Sequence, residues 1–480
     1  MKTLLCALAC LLTGCALGPD NHRPALNVPA TFRGAEVASP EAAPGATSGP
    51  VPPSVADQLW QDVYPDAALQ KLLTAALRNN LDLRIAVAHI DEARAALGQA
   101  RLGLLPTLDV RGSVARTETS SDALLPGAAR IRNSEEADLL ASYELDFWGR
   151  LRRTHEAARA SLLSSEYARR AVTVTLVANV ANAYFTLLAL DSQLSITRRT
   201  VESRDKFVEL TRAQHERGYA TGLDVATAEA QAAVARANVP DLERRTGELE
   251  NQICLLLGEN PHAIERASNG EAMPAAPALP PVGLPSALLE RRPDLVAAEQ
   301  ALRAANANVG VAKAALFPTL TLTGLAGSLS APLGSLFNPA TAEWSAAAGL
   351  VQPLLDPQRS LYQLDLAQAR KREALLSYQQ VVQTSFQESA DALLAYAKYG
   401  EFEHQQAIQV EALRRADAIA LARYRSGYAS YFDVINADRD LFTAELTLTQ
   451  ARANNLTAFV RLYQVLGGGW EPPPAVHAPK

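Results

Sequence analysis

The feature that most restricts what this chain can fold into is an internal repeat. Asn80-Leu81-Asp82-Leu83 matches Arg292-Pro293-Asp294-Leu295, and Leu105-Pro106-Thr107-Leu108 matches Phe317-Pro318-Thr319-Leu320, both 212 residues apart. Further on, Gly218-Tyr219-Ala220-Thr221-Gly222-Leu223-Asp224-Val225 matches Gly427-Tyr428-Ala429-Ser430-Tyr431-Phe432-Asp433-Val434. Leu257-Gly258 matches Leu466-Gly467, and the spacing is now 209. Matches in the same order, drifting by only three residues, mark a tandem structural repeat. The first repeat covers 59–262 and the second 286–470. A Pro/Ala-rich linker, 263–285, joins them, and 471–480 is a Pro-rich tail.

Both halves have the same grammar: a helix closed by Pro106 or Pro318, two alternating segments, a long helical run, a Gly turn and a returning helix. The alternating segments are about 107–116 and 137–146, then about 319–328 and 343–352. About ten residues is the length that crosses a bilayer as a tilted strand. Tyr143, Phe147, Trp148, Phe317 and Trp344 sit in or near these segments, as membrane-interface aromatics do. A soluble hairpin with one polar face is the competing reading. Four strands cannot close a barrel, and lipid does not tolerate open sheet edges. Two copies would supply eight strands and three would supply twelve.

The long runs, about 150–217 and 359–426, would each extend on the order of 100 Å as helix and need neighbours. Alanine, about a fifth of the 480 residues, suits helices that approach closely. Ala171 to Leu190 carries no formal charge and has the length of a transmembrane helix. Its Thr and Asn residues, and the lack of a counterpart in the second half, make it instead the most buried part of a long helix.

Met1-Lys2 and the apolar Thr3–Leu12 lead to Leu12-Thr13-Gly14-Cys15, which resembles a bacterial lipobox. Residues 1–14 then form a lipoprotein signal peptide, Cys15 is the lipidation site, and 15–58 is a lipid-anchored extended tether. With Cys6 and Cys10 in the signal and Cys15 acylated, only Cys254 remains, a small buried hydrophobe. A formal net charge of −6 with scattered basic residues argues against nucleic-acid binding. The seven His residues show no metal-ligand spacing, and no phosphate loop or nucleophile elbow is present. The expectation is no catalytic residue, no metal and no cofactor beyond the lipid on Cys15.

Several segments in order carry a family resemblance: Cys15 with Gly18-Pro19-Asp20 and Arg23-Pro24, Leu145-Asp146-Phe147-Trp148-Gly149-Arg150, Leu288-Leu289-Glu290-Arg291-Arg292-Pro293-Asp294-Leu295, and Leu466-Gly467-Gly468-Gly469-Trp470. Together they resemble the TolC-like outer membrane factors, NodT-type efflux lipoproteins. The resemblance implies a mainly α protein with a membrane β-barrel, a homotrimer with a 12-stranded β-barrel and a 12-helix α-barrel tunnel. It further implies a passive duct in the bacterial outer membrane that extends into the periplasm. The duct would be fed by an inner-membrane transporter of the resistance–nodulation–division type through a periplasmic adaptor (membrane fusion protein). An exit duct for type I protein secretion, and a lipid-anchored periplasmic coiled-coil scaffold without a pore, are the alternatives.

On this reading the helix tips form the periplasmic entrance. Asp433 and Asn436, three apart on one helix face, are the candidate gate, with Asn436 weakening any acidic ring. Ser430 and Asp433, like Thr221 and Asp224, also match a capping box, which explains the same residues without a gate. Gly218 and Gly427 permit a tight turn. With Tyr219, Thr221, Asp224, Tyr428 and Ser430 they form the candidate docking surface for an adaptor. Pro293 and Asp294 open a helix, so Arg291-Arg292-Pro293-Asp294 reads as structural.

Overall fold

A computed structural model describes residues 17–33, 55–123, 126–127, 129–266, 273–277, 285–352 and 357–469. The signal segment, Cys15, most of the tether, Trp470 and the tail lie outside the described residues. After a short 3-10 turn come α1 (Trp60–Val63), α2 (Ala67–Asn79), α3 (Leu81–Leu102), β1 (Thr107–Glu118), β2 (Ile131–Leu145), α4 (Arg150–Glu216) and α5 (Gly222–Leu257). The second half gives α6 (Pro285–Arg291), α7 (Pro293–Ala314), β3 (Thr319–Ser330), β4 (Ala342–Val351), α8 (Pro357–Arg425) and α9 (Tyr431–Val465). The series α3-β1-β2-α4-α5 thus returns as α7-β3-β4-α8-α9.

The compact units do not follow the repeats. One comprises the chain up to Ala25 with His89–Glu166 and Ala297–Gln379, the other Leu26–Ala88, Tyr167–Val296 and the chain from Gln380. Each draws on both halves.

In the first unit the four strands form one antiparallel sheet in the order β1-β2-β3-β4. Register runs through Val110 opposite Leu139, Leu139 opposite Ala326, and Ala326 opposite Trp344. β2 begins at Ile131, six residues before the 137 expected from alternation. There Arg132, Asn133 and Ser134 pair with Thr117, Arg116 and Ala115, so the ladder continues where the apolar signal has stopped. The turn from β2 into α4 explains Leu145-Asp146-Phe147-Trp148-Gly149-Arg150. Asp146 accepts from the backbone N–H of Leu151 and Arg152, both at 2.9 Å, Gly149 adopts φ 81°, and Arg150 grips Glu144 with two hydrogen bonds. The segment Leu17–Arg23 is fastened to this turn and to α7. Leu17 N–H donates to Trp148 O at 3.0 Å, Asn306 donates to Pro19 O at 3.0 Å, and Arg23 pairs with Glu299.

The core of the second unit is built on Leu69, Leu73, Tyr184, Leu187, Ile253, Leu257, Leu393, Leu462 and Tyr463. Burial of Val180, Ala181, Tyr184 and Leu187 accounts for the uncharged run in α4. Cys254 is a buried free thiol. The repeat extends to individual contacts. Asn80, just before α3, donates its amide to Leu256 O at 2.9 Å. Arg292, just before α7, donates to Val465 O at 3.4 Å. In both halves a buried polar side chain thus satisfies a carbonyl that the end of the returning helix leaves open.

Candidate functional site

The sheet has two unlike faces, because residues directly opposite one another share a face. One face carries Leu108, Val110 and Val114 with Leu139, Tyr143, Leu145, Leu320, Leu322, Ala326, Trp344, Ala346 and Leu350. The other carries Asp109, Arg111, Ser113, Glu136, Asp138, Ser142, Glu144, Thr319, Thr321 and Thr323, with Leu140, Leu325, Leu329 and Val351 as large apolar exceptions. Val110 and Trp344 on the apolar face are 86% and 80% exposed. That is an unusual state for large hydrophobic groups in water and the expected one in lipid. From Leu320 to Ser328 the strand covers on the order of 27 Å, close to the apolar height of an outer membrane barrel. Among the described residues both β1 and β4 are unpaired edges.

The five aromatics divide between the ends of this band. Phe147, Trp148 and Phe317 cluster at the helix end. Trp148 stacks on Phe317 with centroids 4.6 Å apart and meets Phe147 edge-on at 4.8 Å. Its indole N–H donates to Pro318 O at 2.9 Å. Tyr143 lies in β2 near the same end, whereas Trp344 lies at the opposite end of the band.

In the second unit the two helix tips are built alike. Gly218 and Gly427 take φ 78° and 77°. Tyr219 N–H donates to Gln214 O, and Tyr428 N–H to Arg423 O, both at 2.8 Å; this is the helix-ending bond of a Schellman turn. Both capping boxes are formed. Thr221 N–H and Oγ1 donate to Asp224, and Ser430 N–H and Oγ donate to Asp433, over 2.8–2.9 Å. These bonds to Ser430 hold the Asp433 carboxyl below its ordinary value, so it stays charged at the tip. Asp433 is exposed, and Asn436, a turn further on, is half-buried. The structure thus gives Asp433 a capping role and leaves its charge accessible.

Two tip residues are not signalled by the motifs. Leu223 is 75% and Phe432 70% exposed, beside Tyr219 and Tyr428. Each tip therefore shows the same aromatic-plus-apolar pair, which overlaying the two repeats at 209 makes visible. The tips are joined through contacts of α4 with α8 and α9. Phe207 stacks on Tyr431 at 4.9 Å, Tyr424 Oη donates to Gln214 at 2.8 Å, and buried Arg204 donates to Asp438 at 2.8 Å. Arg292 is likewise structural: it bonds Asp294 and Glu388, and Glu388 also accepts from Arg461.

Comparison with known proteins agrees with this geometry. The family model described as outer membrane efflux protein matches residues 72–259 and 284–468, one segment in each repeat. The toluene efflux pump outer membrane protein TtgC of Pseudomonas putida is 35% identical over 468 residues, covering 97% of this chain and 95% of that protein. The cation efflux system protein CusC of Escherichia coli is 33% identical over 476 residues, 98% of this chain and 99% of the relative. The solved structure of the outer-membrane channel OprN superposes with a TM-score of 0.85 at 30% identity, over 95% of this chain and all of that one. The chain belongs to the outer membrane efflux protein family.

Proposed function

We propose that this protein is the outer membrane duct of a tripartite efflux pump, a passive homotrimer closed by a 12-stranded β-barrel and a 12-helix α-barrel. The observation that carries this is the four-stranded sheet with one apolar face, one polar face and two open edges. Joining β4 of one copy to β1 of the next removes the edges, turns Val110 and Trp344 to lipid, and lines the lumen with Asp, Glu, Ser and Thr. The exposed pairs Tyr219/Leu223 and Tyr428/Phe432 are the surface for the periplasmic adaptor, which links the duct to an inner-membrane transporter of the resistance–nodulation–division type. A lipid on Cys15 suits the anchoring of Leu17 to Trp148, because two residues reach only about 7 Å. Relatives named for toluene and for cations are about equally similar, which supports a duct that leaves cargo choice to the pump.

Purified protein in planar bilayers tests the reading. Discrete ion-conducting steps from a three-copy species are expected. A monomer, or an oligomer that never conducts, refutes it.

A further inference from the structure

Near the tips, four helices each turn a stripe of side chains toward a common cavity of about 370 Å³. Asp417 and Leu421 come to it from α8, Val434 and Asp438 from α9, Phe207 from α4 and Gln231 from α5. A space of this size accommodates a small organic molecule. The cavity belongs wholly to the second unit and is made by one chain.

Most charges around it are already answered. Arg204, whose side chain is 6% exposed, donates to Asp438 at 2.8 Å and to Gln231 O at 2.9 Å. Glu202 pairs with Lys206 at 2.7 Å, and Arg199 with Glu445, which also takes Arg414. Arg425 is exposed, so water solvates its guanidinium. Asp417 is different: it is half-buried, and among the described residues it makes no hydrogen bond or ion pair. A carboxylate withdrawn from water without a partner is costly. Burial, and then the negative charges of Asp438 and Glu445, raise its carboxyl above the ordinary range. The unmet charge of the cavity is therefore negative. It shares the space with an apolar wall of Leu421, Val434 and Ile435 and with the stacked rings of Phe207 and Tyr431.

We propose that this cavity binds an organic ammonium ion with an apolar, aromatic body. The N–H groups of the ligand donate to Asp417, and its body covers Leu421, Val434 and Ile435 against the two stacked rings. Charge separates this ligand from others of its size. A carboxylate would bring one more negative group to Asp417, Asp438 and Glu445, and a neutral alcohol would leave the charge of Asp417 unbalanced. Because one chain makes the site, the proposal does not depend on the closure of copies into a duct.

Molecules with one body and different heads test the site: 4-phenylbutylammonium, 4-phenylbutanol and 4-phenylbutanoate, each titrated calorimetrically into the full-length protein in detergent. The ammonium is expected to bind about tenfold or more tightly than the alcohol, and the carboxylate more weakly still. Asp417→Asn, which removes the charge and keeps the shape, is expected to erase that preference and to leave the affinity for the alcohol within about twofold. Leu421→Trp keeps the carboxylate but fills the cavity, and is expected to weaken binding of the ammonium about tenfold or more. Partition into the detergent micelle is common to all variants and cancels between them. Equal affinity for the three heads, or ammonium binding that survives either substitution unchanged, overturns the proposal. Tighter binding of 4-phenylbutanoate overturns it equally, since the governing charge would then be that of Arg425. These outcomes are read from binding alone, so the duct reading keeps its own test in planar bilayers.

Discussion

Arg292→Ala separates a structural from a functional reading of Arg291-Arg292-Pro293-Asp294. The guanidinium is buried, with Asp294 at 2.7 and 3.0 Å, Glu388 at 2.8 Å and Val465 O at 3.4 Å. Truncating one partner of a buried ion pair costs about 3–5 kcal/mol when the other charge is left stranded. Here neither carboxylate is stranded. Glu388 keeps Arg461 at 2.7 Å, and Asp294, 35% exposed, can rehydrate. The remaining losses are the Val465 carbonyl contact and the packing of the side-chain stem, which brings the expected cost to about 2–3 kcal/mol. The effect is local to the start of α7, whose first helical bond is Val296 N–H to Arg292 O at 3.2 Å. Native-state hydrogen exchange of Val296 and its neighbours reads it directly, because about 2–3 kcal/mol speeds exchange by roughly 30–150-fold. Adding Arg461→Ala strands Glu388, so the double variant should lose at least about 1 kcal/mol more than the sum of the singles. Exchange in the first turn of α7 that rises less than about threefold in Arg292→Ala, with conductance abolished, would refute the structural assignment.

Gly258 ends α5 at φ 71°, and a Cβ there would lie 2.6 Å from Asn79 O. Gly258→Ala should cost more than about 2 kcal/mol, seen as a lower unfolding temperature; an unchanged temperature contradicts the packing of α5 on α2. Asp417 has its carboxyl raised by burial and by Asp438 and Glu445. Because the folded pKa exceeds the unfolded value of 3.8, stability rises as the pH falls through the raised pKa and is lower above it. Asp417→Asn should remove that acid stabilisation and raise stability at neutral pH, and an unaltered pH profile of tip hydrogen exchange would count against it. If the exposed charge of Asp433 faces the ion path, Asp433→Asn should lower and Asn436→Asp raise the cation-to-anion permeability ratio. Reversal potentials that do not shift in either variant leave Asp433 as a cap alone.

Much of the architecture was readable because the repeat is written in residues with strong local meaning. Pro106 and Pro318 stop helices, Gly218 and Gly427 fix turns, and the period of two in Leu108, Val110 and Val114 marks a strand with one apolar face. The early start of β2 was not readable, since Arg132, Asn133 and Ser134 are held by ladder pairing and contribute no apolar alternation. Nor were the contacts between α4 and α9. Arg204 meets Asp438 across 234 residues, and nothing near Arg204 distinguishes it from the exposed arginines of the same helix. At the tip, the capping pattern around Asp433 was legible as a pair of alternatives. The hydrogen bonds from Ser430 establish the cap, while the exposure of the carboxylate keeps its charge available.

The compact units show why the repeat had to be assembled this way. A repeat that folded as a domain would bury its own apolar surface, yet each unit takes strands or helices from both halves. β2 and β3 pair across the duplication, as do α4 and α9, so the two halves are joined at their most specific surfaces. Among the described residues the sheet is left with unpaired outer edges at β1 and β4, which come from opposite halves. Such unlike edges are heterologous, and a heterologous contact either closes into a ring or grows without limit. An apolar sheet in lipid selects closure, because only a closed barrel leaves no unpaired edge. The duplication thus supplies specific contacts within the chain and unlike edges at its borders, the arrangement that lets identical copies close into a ring.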